Sequence, residues 1–228
     1  MTSRHKAALS LLLLVPAPSL GTFFGMVALP DMPAGRVLFA LSKVWLLVLP
    51  ATWLLLVDRG RPSLSPVRMG GWRTGILSGV GISACLLGAF SWWGEALIDR
   101  SFLVAALRDV GLGVPWRYAL GAFYWIAVNA VLEEYVWRWF CVRQCQRLWR
   151  TWIAVPASAC FFTLHHVIAI NVLFPSPLAV VCCSLGVFTG GLVWSACYAR
   201  YRSIWPGYVS HAIVDLTIFG LGAAMLFG

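Results

Sequence analysis

Glu133-Glu134 with Arg138, the pair His165-His166, His211 and Asp215 are acids, bases and a cation set inside stretches that are otherwise apolar. A charged side chain at mid-bilayer costs about 2.5 kcal/mol or more, so it persists where it faces a protein interior, has a partner and serves a function. Carboxylates and imidazoles are the side chains that take and return protons near neutral pH. These residue types in these places predict an enzyme whose active site lies within the membrane.

Spacing assigns the first roles. On a helix, neighbours point about 100° apart and residues four apart share a face. Glu134 and Arg138 are therefore placed to pair as structural support. Glu133 points elsewhere and is the candidate general base, since a desolvated carboxylate is suited to taking a proton from water. A later stretch reads Phe161-Phe162-Thr163-Leu164-His165-His166, and a third carries His211 and Asp215. These two are again four apart, so the acid is placed to orient the imidazole or to line the same cavity.

The elements that must position these groups are membrane helices. Of 228 residues, 61% are hydrophobic and 11% charged, against about 25% charged in soluble domains. The fold class is all-α, a polytopic membrane helix bundle with the active site inside it. Segments near 8–28, 37–57, 73–97, 118–141, 152–173, 178–199 and 204–227 are long enough to span, which predicts seven crossings. The apolar run of the first continues past any cleavage site, so it is expected to remain as a helix. The segment 98–116 is too polar to span and is expected as a surface connector. Nothing marks a second domain: 1–228 is one membrane domain, with 1–116 generic in character and 117–220 the catalytic core.

Net charge is +9, yet no basic run is interleaved with aromatics, which argues against nucleic acid. The basic residues instead fall between spans. One side collects Arg4, Lys6, Arg59, Arg61, Arg68, Arg73, Arg143, Arg147, Arg150, Arg200 and Arg202, and the other only Arg36, Arg100, Arg108 and Arg117. Lys43 and Arg138 fall within spans and count for neither. This bias predicts a cytoplasmic N-terminus. Trp72, Trp92, Trp93, Trp116, Trp149, Trp152 and Trp205 sit near the expected ends, as interfacial tryptophans do. Gly75 with Gly79, and Gly186 with Gly190, have the small-xxx-small spacing of close helix contacts. The seven cysteines are odd in number and mostly in apolar segments, so no disulfide framework is expected.

Glu-Glu-x-x-x-Arg, then Phe-x-x-x-His, then His-x-x-x-Asp, in that order on successive apolar spans, resembles the CAAX-protease and bacteriocin-processing family. These are glutamate-type intramembrane endopeptidases that include the Rce-type prenyl-protein proteases. The resemblance covers roughly 118–220. It implies that Glu133 activates water beside a histidine of the second motif, with His211 and Asp215 completing the site and stabilising the tetrahedral oxyanion. Both Phe161 with His165 and Phe162 with His166 satisfy the second motif. His166 is preferred from its context, and His165 is the alternative. The last position is Asp215, where the eukaryotic branch tends to have Asn, which weakens its oxyanion role relative to His211.

No cofactor is favoured. Zinc is the alternative, with Glu133, His166 and His211 as its ligands. The expected partners are the lipid bilayer and a peptide or protein substrate, and the expected location is a bacterial inner membrane. Two other classes stay open: a proton-coupled transporter and a non-catalytic scaffold using the same charges. A transporter predicts inverted repeats, and none is visible. No Gly-x-Ser-x-Gly nucleophile turn is present, and Asp215 is the only aspartate well inside a span.

Overall fold

In lipid, a spanning segment must satisfy its own backbone, which selects helices. The structure, a computed structural model, describes residues 2–228, and among them no strand occurs. Six helices are long and apolar enough to cross a membrane: α1 (Ser3–Ala28), α2 (Pro33–Val57), α3 (Trp72–Leu97), α6 (Thr151–Leu173), α7 (Pro177–Tyr201) and α8 (Trp205–Phe227). Between them lie α4 (Arg100–Asp109) and the helical run α5 (115–148). The expected crossing at 118–141 falls within α5, whose apolar character is broken by Asn129, Glu133, Glu134 and Arg138. By length and apolarity the count is therefore six, with α5 as a seventh helix of different character.

Leu12, Leu56 and Leu77 are 66–75% exposed on the outward faces, a degree of apolar exposure that lipid accommodates and water does not. The Trp residues expected at interfaces are largely exposed as well.

The second half of α5 lies in the protein's interior, while much of 115–128 is exposed. From Glu134 to Cys145, every residue except Tyr135 and Arg143 is buried. A helix buried on all sides has neighbours on all sides, and α1, α2, α6, α7 and α8 supply them. Pro115 opens α5 at a position where its missing N–H costs nothing. The helix is not uniform. Tyr124–Asn129 and Glu134–Val142 are π-helical, with the short α-turn Ala130–Glu133 between them. Hydrogen bonds to i+5 widen a helix and change which residues share a face, and such turns recur at functional sites.

α8 packs along α3 at Gly75 and Gly79. A side chain at Gly75 would meet the Pro206 backbone, and one at Gly79 would come within 3.0 Å of Ser210. Gly186 faces open space, and the nearest atoms to a Cβ at Gly190 belong to Trp194 of its own helix, so the second glycine pair does not show the close helix contact of Gly75 and Gly79. The connector 98–116 holds α4, capped by Asp99. Its carboxylate accepts from Ser101 Oγ (2.6 Å) and the Phe102 N–H (3.0 Å), bonds that hold it below the ordinary carboxylate range. Arg100 donates through Nε and Nη2 to Met225 O near the end of α8. At the other end, Ser65 O accepts from Ser203 Oγ (2.7 Å) and Ser65 Oγ from the Ile204 N–H (3.0 Å), which ties the 58–71 loop to the α7–α8 turn.

Candidate active site

Arg138 and Glu134 are fully buried, one turn apart, with Arg138 Nε 3.4 Å from Glu134 Oε1. The guanidinium makes no hydrogen bond. It lies instead over the faces of Phe162 (4.4 Å) and Trp194 (5.1 Å). Two aromatic faces and one carboxylate balance the charge.

The same Oε1 accepts from His211 Nδ1 at 3.2 Å. The other ring nitrogen, Nε2, stands 3.7 Å from Glu133 Oε2 and 3.7 Å from Asp215 Oδ1. One imidazole is therefore set among three carboxylates, with the adjacent glutamates at opposite nitrogens. Its ring is stacked on Trp194, centroids 3.8 Å apart and planes 15° off parallel. Trp194 is held in turn, because its Nε1 donates to Ser210 Oγ (3.0 Å), which also accepts from Ser78 Oγ (3.0 Å). Gly207 leaves room for Glu134: a Cβ there would meet Oε2 at 2.5 Å.

His165 and His166 come from α6, which is anchored to α5 by Ser158 Oγ donating to Trp137 O (3.0 Å). The Phe162 carbonyl accepts from His166 Nδ1 at 2.9 Å, which leaves Nε2 as the nitrogen free to accept. His165 stacks on Trp137, and its buried Nδ1 has no partner. Glu133, His165 and His166 each bring a ligand atom within 4.8 Å of the others. Such a spacing is bridged by one water with two hydrogen bonds. Glu133 and His165 also border a cavity of about 60 Å³, together with Lys43, Asn129, Tyr124 and Trp137.

Residues 115–217 match the Rce1-like family, described as type II CAAX prenyl endopeptidase Rce1-like. Over this stretch the chain is similar to that family. The Rce1-like region is just under half of the chain and contains all seven expected site residues. The match supports a CAAX-type protease in general terms, in an integral multi-pass membrane protein. No curated protein and no solved structure matches the chain.

Within the helix bundle, the expected residues gather in two connected groups. Glu134, Arg138, His211 and Asp215 form one, and Glu133, His165 and His166 the other, with Glu133 reaching both. Two expectations change in detail. Glu134 pairs with Arg138 and also holds His211. The donors that converge as a metal site would are Glu133, His165 and His166, without His211, whose ring is held on Trp194. Two imidazoles and a carboxylate fit a three-ligand zinc set, and the His166 Nδ1 bond to a carbonyl is the usual support for a ligating histidine. Trp194, Ser210 and Gly207 carry no chemical signature of their own, so motif spacing does not single them out. Lys43 had a signal, a lone cation in an apolar span.

Proposed function

We propose that the chain is an intramembrane endopeptidase that hydrolyses a peptide bond of a membrane-associated protein. Glu133 takes a proton from water, and His166 shares in orienting and activating it. His211 and Asp215 complete the site, while Glu134 and Arg138 hold it together. The observation that carries this reading is the meeting of a Glu133 oxygen with histidine nitrogens within 4.8 Å, beside a cavity on the Glu133 side. Water adds to the carbonyl carbon, its proton passes to Glu133, and the same proton leaves with the amine when the C–N bond breaks. The nucleophile is water, so no acyl-enzyme forms.

The reading is metal-free. Zinc bound by Glu133, His165 and His166 would polarise a water in the same place. The substrate class is a leader-tagged or C-terminally tagged membrane protein, met in a bacterial inner membrane with the N-terminus cytoplasmic. The eleven-to-four distribution of basic residues supports that orientation.

The test is cleavage of a membrane-peptide library by the purified protein in detergent, wild type against Glu133→Gln, each with and without chelator. Expected is cleavage by the wild type, lost in the variant and indifferent to chelator. Loss on chelation with recovery on zinc would replace the metal-free mechanism. Equal cleavage by the variant would remove Glu133 as the base, and no cleavage by either would favour the scaffold.

A further inference from the structure

Lys43 is the one ionisable residue between Arg36 and Asp58, and it lies near the middle of α2. Among the described residues it has no ion-pair partner, and its ammonium lies 5.4 Å over the Phe39 ring. A lone cation at that depth calls for a reason. Its side chain borders the same 60 Å³ cavity as Glu133 and His165. The cavity wall thus carries one carboxylate, one lysine amine, the Asn129 amide and an imidazole whose buried Nδ1 is unpartnered. His211 and Asp215 are absent from that wall. The two His211 nitrogens already face carboxylates, and an ionised Asp215 accepts hydrogen bonds only.

We propose that Lys43 is a catalytic residue, its ammonium donating to the scissile carbonyl oxygen as that oxygen becomes negative. This rests on Glu133 being the base of the hydrolysis. When water adds to the carbonyl carbon, the π pair moves onto oxygen and the water proton moves to Glu133. Lys43 holds the oxyanion without giving up a proton. When the carbonyl re-forms, the C–N bond breaks and the Glu133 proton goes to the amine. A cation aimed at developing charge in a site shielded from water acts most strongly in the transition state. On this reading base and oxyanion donor border one cavity, with α5 supplying one and α2 the other.

The experiment uses peptides from the library that the wild type cleaves, each made as the free acid and as the C-terminal amide. Rates are compared for wild type, Lys43→Met, Lys43→Gln, Lys43→Arg and Glu133→Gln, with elution profile and melting midpoint in detergent as folding controls. Lys43→Met and Lys43→Gln should fold normally and lose about 10²–10³-fold in kcat with KM little changed, equally on acids and amides. Lys43→Arg should recover part of the rate. Wild-type rates in Lys43→Met and Lys43→Gln, with Glu133→Gln inactive, would overturn the Lys43 assignment alone. A loss confined to KM on free-acid peptides would overturn it in favour of a terminal-carboxylate anchor. Full activity in Glu133→Gln, or no peptide cleaved by the wild type, would remove the protease reading and Lys43's role with it.

Discussion

Arg138 has no hydrogen bond, one carboxylate neighbour and two aromatic faces, so removing any of these exposes a bare charge in an apolar interior. Arg138→Ala strands Glu134 and should cost about 3–5 kcal/mol, read as a lower melting midpoint and yield in detergent. A variant that melts as wild type would mean the pair contributes nothing to the fold. Ser210→Ala acts one step further out. It leaves the buried Trp194 Nε1 without its acceptor and should cost about 1–3 kcal/mol. Activity should fall more than stability if Trp194 positions His211, and equal falls would limit Ser210 to packing. The two neighbouring histidines divide similarly. His166 has its Nδ1 committed to a backbone carbonyl, and His165 faces the cavity with Nδ1 unpartnered. His166→Gln should abolish cleavage while His165→Gln retains it, and the reverse result would transfer the role to His165.

At the scale of elements, the approach of α8 to α5 decides whether Glu134 can face His211. Gly207 makes that approach, since a methyl group there would meet Glu134 Oε2. Gly207→Ala should destabilise by about 1–3 kcal/mol through overpacking and lower activity by displacing the carboxylate. Gly186→Leu provides the contrast, because open space surrounds it and its melting midpoint should match wild type. Gly75→Leu, set against the Pro206 backbone, should fail to reach wild-type stability. The π-helical turns of α5 belong to this scale too. On an ideal α-helix Glu133 and Glu134 diverge by about 100°, yet here both reach one imidazole on α8. Neighbouring acids can do so because their carboxylates approach its two nitrogens from different sides.

At the scale of the whole molecule, five of the six apolar helices pack around α5, whose buried stretch carries Glu134 and Arg138. The cost of the charges on α5 is offset because five helices shield it from lipid. The distribution of arginines predicts the orientation: a reporter active only outside the cytoplasm should be silent when fused after Arg61 and active when fused after Val110. Reversed activities would invert the bundle.

Much was readable directly from the chain. Composition dictated a helical membrane protein, since an apolar run in lipid has few other ways to satisfy its backbone. Helical spacing placed Glu134 against Arg138 and Asp215 near His211, because residues four apart on one helix are neighbours whatever surrounds them. The ordered motifs pointed to the family that residues 115–217 match. Tertiary structure alone decided what lies between helices: that His211 touches both glutamates, that Trp194 and Ser210 hold its ring, that His165 joins Glu133 and His166, and that Lys43 shares their cavity. Those contacts depend on helix rotation and crossing, which are set by packing of small and large residues along entire helices. No local spacing encodes them.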